Sequence, residues 1–190
     1  MAALVFEIFA DMVKESVYPK LLKRSLVHPI HKSGSTMNVE NYRPISIPIS
    51  LSKIFESEMT EQIDYYMTTN QHWDPHQYGF KKKKGCQEVI AKVIHETSKL
   101  LDRKSNVLLL SLDLSKAFDS VDHQILLQKL AKLGFALESL ELIRSFLSDR
   151  IQVVQINNSY SKEGKVSGGI AQGSCKGPTL FNLYLNDMKD

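Results

Sequence analysis

Three carboxylates crowd one short stretch, "LLLSLDLSKAFDSVDH", from Leu108 to His123. Asp113 closes an apolar run, and Asp119 and Asp122 follow six and nine residues later. The run Val107 to Leu112 predicts a strand, too short and too bounded for a helix. A strand buried on both faces tolerates a carboxylate only when it is paired, neutral or bound to a cation. At the C-terminal end of a strand, an acid points to the crevice where ligands bind in α/β sheets. A hard cation such as Mg²⁺ takes one or two carboxylates together with substrate phosphates. Asp113 is therefore a candidate metal ligand, and the alternative is a solvated strand-end acid. Asp119 or Ser120 reads as the N-cap of a helix to Leu133 that ends at Gly134. Asp122 then lies in its first turn, where negative charge suits the helix dipole.

Two further stretches have chemical potential. Lys81 to Lys84, followed by Gly85, is either a solvated loop or a set of ammonium groups beside a helix N-terminus that meets an anion. "GGIAQGSCKGP", Gly168 to Pro178, sets four glycines around Gln172 and Ser174. Glycine lets backbone approach a ligand closely. The G-x-x-x-x-G-K-[ST] pattern is absent, so this is no Walker loop, and a plain turn is an equal reading. His28 with His31, and His72 with His76, have ligand-like gaps but no third ligand, so no zinc site is expected.

The elements that must position these residues follow from periodicity. Residues 2–16 read as a helix with Leu4, Phe9, Met12 and Val13 on one side, broken at Pro19. Arg24 to Thr36 reads as a short strand entering a polar loop, and "NYRPISIPIS" as extended chain. Residues 50–69 repeat Leu51, Phe55, Met59, Ile63 and Met67 every four positions, a helix. "NQHWDPHQYGF" is loop, and a helix from Gln87 to Leu101 carries Val89, Ile90, Val93, Ile94 and Thr97. Residues 137–148 make another helix, "IQVVQINNSYSKEGKVSGG" a hairpin-like segment, and Pro178 opens a last helix. The class is α+β: a helix-rich first half, then a small antiparallel sheet with helices on one face, divided near residues 102–106.

Composition sets outer bounds. The 190 residues suit one domain or two small subdomains, 43% hydrophobic and 24% charged. A net charge of +3, mostly from lysines, permits a nucleic-acid partner without demanding one. The two cysteines, Cys86 and Cys175, lie far apart, which reads as free thiols in the cytoplasm or nucleus. No stretch approaches the roughly 18 apolar residues of a membrane span. Glu7 and Asp11 interrupt the apolar start, an amphipathic helix rather than a signal peptide.

Taken in order, "NYRPISI…LSKIFE" (Asn41 to Glu56), "QYGFKKKKGC", "LSLDLSKAFDSVDH" and "GGIAQGSCKGPTLFNLYLND" resemble the reverse transcriptase of non-LTR (LINE-like) retrotransposons. The upstream "PKLLKRSLVHPIHKSG" resembles the segment before that family's fingers, so the likeness covers almost the whole chain. A group II intron-type reverse transcriptase is the nearest competitor, and "LSKAFDSVDH" favours the LINE-like form.

The resemblance implies a right-hand polymerase: a pre-fingers segment at 1–40, fingers at 41–106 and a partial palm at 107–190. It implies RNA-directed DNA synthesis by two-metal nucleotidyl transfer with Mg²⁺ or Mn²⁺. The partners would be an RNA template, a DNA primer and deoxynucleoside triphosphates, in the nucleus or cytoplasm, with no membrane and the oligomeric state open. By motif, Asp113 is the catalytic, metal-binding aspartate, with the backbone carbonyl of Leu114 as a second oxygen. Phe118 falls where a bulky ring packs under the nucleotide sugar and excludes a 2′-OH. Gln172, Gly173, Arg43 and Lys81 match nucleotide-facing positions. Lys82, Lys83, Lys84 and Ser174 match template-facing ones.

The sequence also departs from the family. Ala171 stands where proline is usual and Lys176 where a large apolar residue is usual. Lys81 and Lys84 replace arginines, which keeps charge but loses the bidentate fork. The family's next motif, a hairpin with two adjacent aspartates, and the thumb are not in these residues. Asp187 and Asp190 sit in a helical context and are not expected to replace the pair. The isolated chain is therefore expected not to polymerise; the alternative is a non-catalytic RNA- or template-binding remnant.

Overall fold

Apolar residues spaced four apart stay on one face of an α-helix, and α2 (Ser50–Thr69) uses that face to build the core. Phe55, Met59, Ile63 and Met67 are all buried, with Leu51 at the edge. The computed structural model describes residues 2–188, so Asp190 lies outside the described residues. Three helices from the second half contribute to the same core. These are α4 (His123–Lys132) through Leu126 and Leu130, α5 (Leu137–Leu147) through Leu142, Ile143, Phe146 and Leu147, and α6 (Gly177–Leu185) through Leu180 and Leu183. Each fully buried side chain of this kind contributes about 1.5–3 kcal/mol.

The N-terminus closes the same core. From α1 (Ala2–Lys14), Met12 is buried and Ile8 and Phe9 are packed against the cluster, while Leu4 and Val13 point outward. Past the helix, the Tyr18 ring stands edge-on to Phe146 at 5.1 Å and tilted on Phe55 at 5.9 Å. One continuous core therefore runs from Met12 to Leu183, across the expected fingers and palm segments.

The sheet is mixed and joins both halves. Its order is β2 (Tyr42–Pro48), β1 (Arg24–His31), β3 (Arg150–Ile156), β4 (Ser159–Tyr160), with β5 (Gly164–Val166) also pairing β3. β1 runs antiparallel to β2, Leu26 opposite Ile47, and parallel to β3, Leu26 opposite Val153. A parallel pair needs a long crossover, and the helices between residues 50 and 147 supply it. The α+β class is as expected, but the sheet is mixed rather than antiparallel, and two of its strands come from the first half. Proline is tolerated at a sheet edge, and β2, with Pro44 and Pro48, is an edge strand with β1 as its strand neighbour.

Two expectations need correction. Val107 to Leu112 forms no strand, and its leucines are bare, Leu108 at 93% exposure. A strand persists only when a neighbour takes its backbone hydrogen bonds. β3 has β1 on one side and β4 and β5 on the other, and the segment pairs with none of the strands. The preceding helix α3 (Cys86–Asp102) forms as predicted yet buries none of its residues. Leu109 folds back beside Val89 and Val93 around a cavity of about 400 Å³.

The second correction concerns the acids after Asp113. The chain makes a tight turn in which Asp119 and Ser120 N–H groups both donate to the Lys116 carbonyl. α4 therefore starts later, and Asp122 is its N-cap, accepting from the N–H groups of Gln124 at 2.8 Å and Ile125 at 2.9 Å. Gly134 ends the helix as expected, with φ at +82°.

Candidate nucleotide and template site

Residues 116–123 are stitched to the glycine loop by three hydrogen bonds. Ile170 N–H donates to the Phe118 carbonyl at 2.8 Å, and Gly169 N–H donates to Val121 at 3.0 Å. The His123 ring nitrogen meets the Gly169 carbonyl at 2.7 Å. Gly169 has φ at +74°, and a Cβ there would press on the Asp119 backbone, so the closeness requires glycine. Phe118 is half-buried, stacked on Phe181 of α6 with centroids 4.9 Å apart, and meets the Phe80 ring edge-on at 6.3 Å.

Next along the loop, the Gln172 carbonyl accepts from Ser46 N–H on β2 at 2.6 Å. Gly173, φ +109°, leaves no room for a Cβ, which would collide with the Ser46 carbonyl oxygen. Arg43 is exposed three residues earlier on β2. The fold thus brings Phe118, Gln172, Gly173 and the strand bearing Arg43 into one neighbourhood, with Phe80 leading into the lysine run.

The lysines divide. The Lys81 ammonium bonds the Asp64 carboxylate at 2.9 Å and lies over the Trp73 ring. Burial lowers its pKa, and the Asp64 hydrogen bond opposes that shift. Its charge is committed within the protein, so a phosphate reaching it competes with Asp64. Lys84 donates to the Pro75 carbonyl at 2.8 Å and faces the Tyr78 ring. Lys82 and Lys83 are exposed. A groove of about 1070 Å³ runs between α2 and this loop, lined by Thr60, Asp64, Tyr65, Phe80, Lys81 and Lys82.

Ser174 is placed differently from its expected template-facing role. It is buried, and its hydroxyl donates to Glu56 of α2 at 2.5 Å. Glu56 is fully buried and also accepts from Ser52 at 2.7 Å, whose hydroxyl pairs with the Tyr18 hydroxyl at 2.6 Å. Burial raises the Tyr18 pKa, with the Ser52 hydrogen bond opposing. This network anchors the loop from beneath and was not anticipated from the sequence. The available signal was two polar residues, Ser52 and Glu56, one helical turn apart beside an apolar stripe.

Residues 30–190 match the family described as reverse transcriptase (RNA-dependent DNA polymerase). The chain belongs to the reverse transcriptase family. It is 31% identical over 182 residues, 95% of its length, both to a probable RNA-directed DNA polymerase from transposon BS and to the RNA-directed DNA polymerase from mobile element jockey, both of Drosophila melanogaster. It spans 20% of each of those relatives. These are non-LTR elements, the class that the ordered motifs resemble, and the chain is a reverse transcriptase domain segment of that class. An apo telomerase structure from Candida tropicalis, truncated of its C-terminal domain, superposes over 93% of this chain and 41% of its own, with TM-score 0.58 and 12% identity, a shared fold.

Against that family, Asp113 and Leu114 are exposed on the unpaired segment. Among the described residues no three His, Cys, Asp or Glu side chains converge. Asp113 with the Leu114 carbonyl supplies one carboxylate and one neutral oxygen. These donors do not fit a two-ion centre, which needs carboxylates on both ions. Among the described residues no helix is long and apolar enough to cross a membrane.

Proposed function

We propose that this chain forms the fingers (41–106) and part of the palm (107–190) of a non-LTR reverse transcriptase, following the pre-fingers segment 1–40. Within it, Phe118, Gln172, Gly173 and Arg43 face the incoming deoxynucleoside triphosphate, and the exposed Lys82 and Lys83 follow the RNA template. The observation that carries the reading is the seam between the Phe118 turn and the Gly169–Gly173 loop, two distant motifs held together by backbone hydrogen bonds. Positioning is most of what a polymerase fold contributes to phosphoryl transfer. The Phe118 ring, backed by Phe181, is rigid enough to exclude a 2′-OH by volume.

Asp113 is assigned the metal-binding role, with Mg²⁺ or Mn²⁺, only when its segment is paired with a strand that brings further carboxylates. The isolated chain then binds RNA and the primer–template without extending it. The same reading places the working protein in the nucleus or cytoplasm. The test is primer extension on an RNA template by the purified chain, with RNA binding measured from 50 to 200 mM salt. Salt-sensitive binding, weakened by neutralising Lys82 and Lys83, and no extension are expected. Mg²⁺-dependent extension lost in Asp113→Ala would overturn the inactivity. Absence of RNA binding by a folded chain would overturn the template role.

A further inference from the structure

Beneath the Ile170–Gly177 loop lies a buried charge that the proposed polymerase chemistry does not use. Lys176 is wholly buried. Its Nζ rests 2.7 Å from the Met59 sulfur and 4.5 Å from the centre of the Phe146 ring. A thioether is a weak acceptor, and a ring face attracts a cation, but neither replaces the three hydrogen bonds an ammonium makes to water. The opposing charge is Glu56 of α2, whose two oxygens already accept from Ser52 and Ser174. From β3, Arg150 adds a like charge, itself buried and beside Lys23, while the Tyr18 hydroxyl is taken up by Ser52. From α5 the group facing Lys176 is the Phe146 ring.

We propose that Lys176 is a proton-operated latch on the Ile170–Gly177 loop. As a neutral amine it stays against Met59 and Phe146 and seats the loop. On gaining a proton it is drawn toward water and loosens the loop from β2 and α2. Burial lowers the Lys176 pKa from 10.5 to about 7, with Glu56 opposing and Arg150 adding, so the latch works around neutral pH. Its effect on the nucleotide-facing Gln172 and Gly173 rests on the proposed function; the latch itself does not.

The test is amide hydrogen exchange of the 190-residue chain at pH 6 and pH 8, corrected for intrinsic exchange. The Ser46, Ser174 and Gly177 amides bond at this loop, and α5 serves as reference. Over this range the latch shifts the opening equilibrium about tenfold, since each unit of proton linkage is tenfold. Protection of the three amides is expected to fall about tenfold at pH 6 in the wild type and to stay level in Lys176→Met. Equal wild-type protection at both pH values, or the same fall in Lys176→Met, overturns the proposal. If Lys176→Met does not fold, NMR titration of the wild-type lysine side chains decides. A lysine near the Phe146 ring that titrates close to neutrality supports the latch, and titration near 10.5 overturns it. RNA binding is not read in this experiment, so the polymerase assignment stands or falls separately.

Discussion

Removing the Glu56 carboxylate is expected to unfasten the glycine loop from α2. Glu56→Ala deletes an acceptor for Ser52 at 2.7 Å and for Ser174 at 2.5 Å. Hydrogen bonds to a charged group are each worth roughly 1.5–3 kcal/mol. The substitution also leaves Lys176 and Arg150 buried without the opposing charge. Each buried donor left without its acceptor costs about 1–3 kcal/mol, and with Ser52 and Ser174 both stranded we expect a loss of about 2–6 kcal/mol. Such a loss is a large share of the roughly 5–15 kcal/mol that holds a domain folded. The assay is urea denaturation at pH 6.5, followed by circular dichroism and by fluorescence of Trp73, the single tryptophan. Coincident transitions would license a two-state reading. Adding Lys176→Met should recover part of the loss, because it removes the stranded cation. A coupling energy of about 1 kcal/mol or more is expected between the two sites. A Glu56→Ala loss under about 1 kcal/mol, or strict additivity with Lys176→Met, would show that Glu56 does not hold the loop on α2.

Gly173→Ala should cost about 2 kcal/mol or more in the same urea assay, since alanine is strained at φ +109° and its Cβ meets the Ser46 carbonyl. Asp122→Ala should cost about 1 kcal/mol, the usual worth of an N-cap, whereas Asp119→Ala should cost less. Stability should rise with pH from 7 toward 9.5. The lowered Lys176 pKa means that the unfolded chain binds more protons between about 7 and 10.5, and folding is penalised fully below that window. Lys23 and Lys81 are also lowered and add the same sign, so Lys176→Met should reduce this slope without abolishing it. Above pH 10 the raised Tyr18 pKa works in the opposite direction, its contribution being lost as the hydroxyl ionises.

The parts of the fold that follow from local pattern were legible in the sequence. The stripe of α2, the extended Tyr42–Pro48 strand, the Gly134 stop and the Pro178 helix start all depend on residues within a few positions of one another. The ordered motifs also identified the family before any geometry. What was hidden depends on long-range pairing. The parallel match of Leu26 with Val153 joins residues far apart in the chain and leaves no periodic trace. Val107 to Leu112 has the composition of a strand, but a strand also needs an edge to join, which composition does not report. Asp119 and Asp122 are equally good caps by type, and only the turn at Lys116 decides between them. By motif, Ser174 matches a template contact and Lys176 departs from family habit. Their burial beside Glu56 follows from the seating of the loop on α2.

The central claim is that this chain supplies the fingers and the Asp113 side of the palm to an RNA-directed DNA polymerase. The most direct measurement grafts the 182 aligned residues in place of their counterparts in the jockey polymerase and follows primer extension on an RNA template with Mg²⁺. DNA synthesis by the graft is expected, abolished by Asp113→Ala, with increased ribonucleotide incorporation in Phe118→Ala. A folded graft that synthesises DNA undiminished by Asp113→Ala, or that binds template and primer but makes no DNA, would contradict that claim.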